Sequence, residues 1–567
     1  MFIVVEAIVI EMLLMYYPIH LYMASIIRKR KGKQYYYYIA ESARVNGKPR
    51  IVSQKYLGTI DRILEMQAGH KIKPEKFSVL EFGSTSAIYS ILDEIGLIDS
   101  INKHVDSKGK LTVGDYILIT AVSRAVHPVS HRKVPEWYSH SFMKIIYPSC
   151  RNLLSGQNFW NNTHEVTDVI MDAMQREILH SIMDMVDLKE LFFDTTNFPT
   201  FIDQYAYNGK IARKTHSKKH RNDLLHVALW LLVDSRGIPL LHSTYEANKG
   251  DVEIFGTFME YVKNYKEFAE SLDNITLIMD KGNNSDGNIN GMKCHYIGAL
   301  RPSTQKELLR IPLNEYGKLD DGTMYYRTIT KVYGKDHAVV ITHNPSLATR
   351  KDKTFAGRME KCRSYINDYI ADANKSRRKR KIERMKETID KYLKARKMNR
   401  YLDYTIESNG TFSVTIREKR DLVDFMFGKN VLFTDRLDME TSSIIEHYKD
   451  RWIIEDGFRK MNYDDNISVT PMFTWTDQQI SLHMFVCVIA LLALRILRQK
   501  LKESGMDMSG ERALEILRNV QAVGSLYEKR KMEWNLSEMD QDAEQLMDIL
   551  KLKPFFDKMV GNTKKLK

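Results

Sequence analysis

The chain has 567 residues, of which 43% are hydrophobic and 28% charged, and its formal net charge is +13. This composition excludes an intrinsically disordered chain, and the length predicts several structural units rather than one. The basic balance suits a polyanionic partner, nucleic acid first and an anionic membrane surface second. A basic protein without such a partner is the alternative.

Residues 1–60 form the first predicted region. The apolar segment 1–27 is broken by two glutamates and no positively charged n-region precedes it, so it fits neither a signal peptide nor a spanning helix well. Because Met23 precedes a basic run, we interpret residues 1–22 as an upstream translation extension, with a packed N-terminal segment as the alternative.

Two β-rich runs, residues 35–39 and 51–57, flank the dipeptide Asn46-Gly47. Asn-Gly between such runs predicts a hairpin. With the basic run 28–33 beside it, this hairpin is either a DNA-contacting element or a solvated surface ribbon.

Residues 61–187 are predicted to be mostly helical. Small helices with scattered basic residues favour a DNA-binding region of the helix-turn-helix kind, although no recognition helix is identifiable. The predicted helices are residues 84–98, 113–125, 131–139 and 166–186.

Residues 188–300 change to short apolar runs that predict buried strands. Asp194 in LFFDTTNF and Asp280 in ITLIMDKGNNS each follow such a run, so both acids are predicted at strand ends. A buried carboxylate costs desolvation free energy unless it is paired, and Mg²⁺ is a cation that takes carboxylate oxygens. An aspartate that caps a turn is the alternative at each position.

Residues 301–440 carry β signals around a long charged helical stretch, predicted from about residue 353 to 397. Its basic run 375–381 is either a solvated face or a contact with the DNA backbone. Residues 441–500 return to helix, where 480–496 predict a buried core helix rather than a membrane span. Residues 501–567 are predicted to be a helical C-terminal region.

The third candidate acid is Glu455. At about 100° per residue, it shares one face of a predicted helix with Tyr448, Arg451, Arg459 and Asn462. An amphipathic surface helix with a local Arg–Glu pair is the alternative.

With these three acids in order, the chain resembles DDE-type insertion-sequence transposases of the group with a Tyr-Arg-Glu-Lys signature helix. Tyr448, Arg451 and Glu455 match that signature, whereas Asn462 stands where it has lysine. Residues 217–233, SKKHRNDLLHVALWLLV, resemble the basic segment that leads into the family's second core strand.

The resemblance implies an α/β fold: an RNase H-like catalytic core, with a mixed β-sheet flanked by helices, in residues 188–300 and 441–500. A β-rich insertion in residues 301–440 would interrupt this core, and a helical DNA-binding region would precede it. It further implies that Asp194, Asp280 and Glu455 are catalytic and bind two Mg²⁺ or Mn²⁺ ions. The implied DNA contacts are Tyr448, Arg451, Arg459, Lys460, Lys218, Lys219 and Arg221.

The implied function is to cut DNA at the ends of an insertion sequence and to join the 3′ ends to target DNA. Double-stranded DNA would be the partner of a synaptic homodimer without membrane contact, and four widely spaced cysteines without a CxxC pair favour a reducing cytoplasm. There the protein would associate with a prokaryotic nucleoid. Another RNase H-like endonuclease, or a catalytically inactive DNA-binding derivative, remains the alternative.

Overall fold

In a computed structural model, the described parts of the chain are residues 24–31, 34–45, 48–60, 63, 74–107, 109–215, 221–269, 272–376, 380–463, 467–470, 472, 474–527 and 531–563. The chain forms two compact units. The terminal unit comprises residues 1–184, 200–209 and 460–567, and the sheet unit comprises residues 185–199 and 210–459. The predicted extension 1–22 and the dipeptide Asn46-Gly47 lie outside the described residues.

The strands are β1 Ala24–Lys31, β2 Gln34–Val45, β3 Lys48–Gly58, β4 Lys76–Glu81, β5 Glu190–Pro199, β6 His226–Asp234, β7 Pro239–Tyr245, β8 Thr276–Met279, β9 His295–Leu300, β10 Gly317–Lys318, β11 Met324–Val332, β12 Lys335–His343, β13 Leu402–Asn409, β14 Thr411–Glu418, β15 Lys429–Thr434, β16 Gln521–Tyr527 and β17 Lys531–Leu536.

The α-helices are α1 Gly83–Glu94, α2 Leu97–Asn102, α3 Val113–Val126, α4 Val134–His140, α5 Met143–Ile146, α6 Gly156–Thr163, α7 Asp168–Ser181, α8 Asp251–Val262, α9 Lys266–Ala269, α10 Asp286–Asn290, α11 Lys306–Leu309, α12 Pro345–Lys375, α13 Ile382–Ala395, α14 Thr441–Lys449, α15 Trp452–Tyr463, α16 Asp477–Glu503, α17 Gly510–Leu517, α18 Gln541–Ile549 and α19 Leu552–Thr563.

The sheet unit is built on a nine-stranded mixed sheet of order β10-β11-β12-β15-β9-β8-β5-β6-β7. The β5–β8 and β8–β9 pairs are parallel, and the other pairs are antiparallel. Every residue of β6 is buried, as expected for a strand covered on both faces. This mixed α/β sheet flanked by helices confirms the predicted fold class at that level.

Two helices cover the sheet near its centre. Phe193 of β5 packs against Phe255 and Phe258 of α8, with ring centroids 5.2 and 4.2 Å apart, and α14 packs against β9, β12 and β15. Successive strand side chains point to opposite faces, so Asp194 faces away from α8.

Residues 344–428, here called the arm, leave the sheet after β12 and return at β15. The predicted single helix over residues 353–397 is instead two helices, α12 and α13, which pack with the β13–β14 hairpin around a separate apolar core. Buried residues of α13 recur every four positions, at Met385, Ile389 and Leu393, which is the spacing of one helical face. The predicted basic run 375–381 begins at Lys375, the last residue of α12. Its residues 377–379 lie outside the described residues.

The terminal unit contains two three-stranded sheets, β1-β2-β3 and β17-β16-β4, and a group of helices. The predicted hairpin is confirmed as the antiparallel pair β2–β3. The C-terminal region, predicted to be helical, contains the helices α17, α18 and α19 and also β16 and β17, which form a hairpin that pairs with the distant β4.

The α16 helix is long and apolar enough to cross a membrane by length and composition, but its apolar window is fully buried inside the protein. It packs against α1 and α3. This arrangement agrees with the predicted core helix.

Candidate active site

Two aspartates of the sheet unit occupy the positions directly after a pair of residues that face each other on adjacent strands. In the parallel β5–β8 pairing, the last paired residues are Phe193 and Met279. Asp194 and Asp280 come next on the two strands, and neighbouring strands lie about 4.8 Å apart. The sheet register therefore brings the first two predicted acids side by side.

The position of Asp194 differs from the expectation in one respect. It is the fifth residue of the ten-residue strand β5, not its last, because β5 continues to pair with β6 beyond β8. Asp280 does follow the end of β8, as predicted. The side chain of Asp194 is 14% exposed and that of Asp280 34% exposed, so Asp194 is the more enclosed acid.

The segment that carries the third acid is not one continuous helix. Helix α14 ends at Lys449 and α15 begins at Trp452, which leaves Asp450 and Arg451 in a turn between them. Backbone hydrogen bonds across this turn, from Ile453 N–H to Asp450 O at 2.9 Å, keep the path nearly helical. Tyr448, Arg451 and Glu455 consequently still share one side, as the helical spacing predicts.

Arg451 joins the three acids. Its guanidinium donates from Nη1 to Asp280 Oδ1 at 2.9 Å and from Nη2 to Glu455 Oε1 at 3.0 Å. Nη2 also lies 3.8 Å from Asp194 Oδ2. Three carboxylates from β5, the loop after β8 and helix α15 thus meet at one cation.

Tyr448 completes this cluster. Its hydroxyl accepts a hydrogen bond from Arg451 Nη1 at 2.9 Å and donates to Asp280 Oδ1 at 3.4 Å. Burial raises the pKa of Tyr448 to about 12, against an opposing effect of Arg451, so the phenol is neutral at neutral pH. Burial alone would lower the pKa of Arg451, but Tyr448 and the carboxylates together raise it above its ordinary value.

The charge balance of the cluster favours a further cation. Three carboxylates against one guanidinium leave a net charge of about −2 when all are ionised. In the described residues, no group of three or more His, Cys, Asp and Glu side chains is close enough together to hold a metal ion. The donor chemistry nevertheless fits Mg²⁺ or Mn²⁺, which bind carboxylate oxygens, and the carboxylates already converge on one positive charge.

Asp251 is a residue that sequence reasoning did not assign to the site. Its Oδ1 accepts a hydrogen bond from the hydroxyl of Thr195 at 2.9 Å, next to Asp194. Its other carboxylate oxygen lies close to Gly282, where an added Cβ would be 2.8 Å from Oδ2. Asp251 therefore packs between the two chain segments that carry the aspartates, and its place at the start of α8, after Gly250, was the available signal.

The predicted DNA-contacting residues are dispersed. Arg459 is exposed and pairs with Asp456 at 2.5 Å, and Arg221 pairs with Asp223 at 3.0 Å on the surface. Lys460 is buried, and its ammonium pairs with Glu511 of α17, which indicates a structural role. Lys218 and Lys219 lie outside the described residues.

A second group of cations in the sheet unit, missed from the sequence, includes the residue that follows Asp280. Burial lowers the pKa of Lys351, and the neighbouring charges of Lys281 and Arg350 lower it further. Lys281 directly follows Asp280, so the first turns of α12 bring positive charge close to the loop that carries this acid.

The sheet unit thus combines a mixed sheet with three carboxylates that converge on Arg451. A family model described as the transposase DDE domain matches residues 188–491. This interval is more than half of the chain, and the chain belongs to the DDE transposase domain family. A comparison with curated proteins gives no match.

Proposed function

We propose that the protein is a DNA transposase that cuts the ends of its insertion sequence and joins the 3′ ends to target DNA. The observation that carries the proposal is the meeting of Asp194, Asp280 and Glu455 at Arg451. The strand order β7-β6-β5-β8-β9, with both aspartates on its parallel centre, supports an RNase H-like core for this chemistry.

In the proposed reaction, Asp194, Asp280 and Glu455 hold two Mg²⁺ or Mn²⁺ ions. Bound there, such ions would activate a water or a DNA 3′-hydroxyl and stabilise the leaving oxygen of an in-line displacement. Asp194 is largely enclosed and fixed by the hydrogen bond from Thr195 N–H at 2.8 Å, so it would provide a rigid ligand. Glu455 is 59% exposed and would adjust to the DNA.

Arg451 and Tyr448 position groups in this proposal. Arg451 neutralises part of the acid cluster, and its planar guanidinium is suited to bidentate contact with a DNA phosphate. Tyr448 is a neutral phenol that holds Asp280 by hydrogen bond and is not a nucleophile, so no covalent protein–DNA intermediate forms. We further propose that the chain belongs to the Tyr-Arg-Glu-Lys group.

The positive charges of Lys281, Arg350 and Lys351 support a DNA path beside the acids. Backbone phosphates are the natural partners of cations that repel one another at close range. Arg459, Arg221, Lys218 and Lys219 would extend the contact, whereas the pairing of Lys460 with Glu511 favours a role in folding.

The discriminating experiment incubates the purified chain with DNA that carries the inverted repeats flanking its reading frame, a target plasmid, and Mg²⁺ or Mn²⁺. Joined donor–target products, with Asp194→Asn inactive, are the expected result. Cleavage without joining would indicate another RNase H-like endonuclease, and end binding without cleavage in either metal would indicate an inactive derivative.

Three further parts of the proposal have separate tests. A synaptic homodimer predicts complexes with two DNA ends and two chains, measured by light scattering. Location at the nucleoid, in the cytoplasm and without membrane contact, predicts that a fluorescent fusion follows the DNA. Membership of the Tyr-Arg-Glu-Lys group predicts that Asn462→Lys keeps or raises activity; a marked loss in a folded protein would contradict it.

A further inference from the structure

A cavity of about 770 Å³ lies in the terminal unit, apart from every residue of the proposed mechanism. Its wall is formed by two stretches of that unit, residues 124–160 and 474–483. The volume is in the range of cavities that bind a small molecule or one unit of a polymer.

Two buried polar atoms in the cavity wall have no hydrogen-bond partner. The guanidinium of Arg124 donates from Nη1 to Ser468 O at 2.8 Å and from Nη2 to Val129 O at 3.2 Å, but its Nε is unpaired. The hydroxyl oxygen of Thr474 is also buried and unpaired. Both atoms belong to residues of the cavity wall, and unpaired buried polar atoms are rare in folded proteins.

The wall is also aromatic. Phe159, Trp160 and Trp475 line the cavity, and Trp475 and Trp160 are 68% and 46% exposed. Trp160 already stacks on His164, with ring centroids 5.5 Å apart. Exposed tryptophans at the mouth of a cavity offer flat apolar surfaces for a planar ring.

The charge of the wall is positive. Arg124, Arg132 and Lys133 supply three cations and Glu136 one carboxylate, which leaves +2. The two histidines of the wall add no charge: burial, with a contribution from Arg124, lowers the pKa of His131 to about 3, and burial lowers that of His483 as well. A ligand that matches this wall combines a planar aromatic ring with negative charge.

We propose that this cavity binds one nucleotide, with its base against Trp160 and Trp475 and its phosphate at Arg132 and Lys133. The nucleotide comes either from solution, as a nucleoside monophosphate, or from DNA, as an unpaired residue. The site goes beyond the proposed transposition chemistry and depends on none of the three acids.

The test is a titration of intrinsic tryptophan fluorescence, without divalent metal, using thymidine 5′-monophosphate and thymidine as probes. We expect saturable quenching by the monophosphate and weaker binding of the uncharged thymidine. Loss of a base–aromatic stack in Trp475→Ala should weaken binding roughly tenfold, whereas Trp475→Phe should retain most of it. Arg132→Ala should weaken the binding of the monophosphate and leave the affinity for thymidine unchanged.

Phe77→Ala is the matched control, because Phe77 is an exposed aromatic of the terminal unit outside the cavity. A duplex with one unpaired terminal nucleotide, compared with the same duplex blunt-ended, identifies the source. A preference for the unpaired end that Trp475→Ala removes assigns the site to DNA, and binding of the monophosphate alone assigns it to free nucleotide.

The proposal is overturned if neither probe binds saturably, or if Trp475→Ala with an unchanged circular dichroism spectrum binds like the wild type. Asp194→Asn should bind the monophosphate normally. Failure of nucleotide binding in a protein that still performs strand transfer would therefore reject this site and leave the proposed function standing.

Discussion

The guanidinium of Arg451 and the carboxylate of Asp280 are joined by a hydrogen bond of 2.9 Å across 171 positions of the chain. The same guanidinium bonds to Glu455 and lies close to Asp194. The three acids therefore share one counter-charge, and a substitution at any of these residues changes the electrostatics of the whole cluster.

Asp194→Asn should abolish cleavage and joining, because a neutral amide replaces the carboxylate that would bind metal. Asp194 is also the more enclosed of the two aspartates. DNA affinity should stay within about twofold, since cations and not this carboxylate hold the phosphates. Gel assays of cleavage and binding in Mg²⁺ make the comparison. Asp336→Asn, an exposed aspartate of β12, is the control and should remain active. Normal cleavage by Asp194→Asn would reject the assignment.

Arg451→Ala should lower the free energy of unfolding by about 2 kcal/mol in the absence of metal, because carboxylates that shared one cation are left unpaired. Excess Mg²⁺ should reduce this deficit, since a bound divalent ion replaces the lost charge and stabilises the folded state. Urea unfolding with chelator and with Mg²⁺ measures both values. An equal deficit in the two conditions would argue against metal binding by these acids. If the folded variant also binds DNA ends more weakly, Arg451 contacts a DNA phosphate in addition to neutralising the acids.

Gly282→Ala should reduce cleavage roughly 10- to 100-fold, because small displacements of catalytic groups have effects of this size. The new Cβ would lie 2.8 Å from Asp251 Oδ2, so the loop after Asp280 must shift. Gly287→Ala is the matched control, because a Cβ there meets nothing within 4 Å. Single-turnover cleavage rates of the two variants decide the matter, and equal rates would mean that the loop absorbs the methyl group freely.

The pair formed by His447 and Glu190 should make stability depend on pH. The hydrogen bond from His447 Nδ1 to Glu190 Oε2, 3.0 Å long, raises the pKa of His447. Because the folded pKa is above the unfolded one, the pair's stabilisation is complete below about pH 6.5 and is lost as pH rises through the folded pKa.

Glu190→Gln should consequently lower the free energy of unfolding by roughly 0.5 kcal/mol at about pH 5.5, where carboxylates are ionised and histidine is protonated, and by progressively less at higher pH. Urea unfolding of both proteins across this window provides the difference. A deficit that stays constant with pH would show that the pair is not charged in the folded protein.

DNA binding should weaken steeply between low and moderate salt, because each neutralised phosphate releases counterions. Replacing Lys281 and Arg350 together by alanine should reduce the slope of log affinity against log salt by about 2 on this basis. Fluorescence anisotropy with a labelled duplex measures the slope. Alanine at Lys331, an exposed strand residue, should change it less.

The parts of the site that the sequence predicted depend on local patterns. An apolar run followed by aspartate is visible in residues 191–194 and 275–280, and helical spacing is visible around Glu455. The joining of β5 to β8 depends on pairing between distant segments, so the sequence indicated two acids without showing their shared register.

The errors have the same physical origin. The strands β16 and β17 are stabilised by pairing with β4, from the other end of the chain, and no local pattern announces that partner. Burial of Lys460 likewise depends on its ion pair with Glu511, which belongs to another helix, α17. The break between α14 and α15 at Arg451 places its guanidinium among the acids. This break depends on tertiary contacts, and helical periodicity in the sequence does not predict it.

The arm leaves and rejoins the sheet at a single cross-strand pair, His343 with Lys429. Since these two residues are direct neighbours, a short hairpin turn could link β12 to β15 with the sheet order unchanged. The arm's apolar core is its own, so the segment 344–428 has the properties of an exchangeable cassette. Protein engineers could remove it or graft another module at this point while the scaffold that carries the three acids keeps its hydrogen-bonded frame.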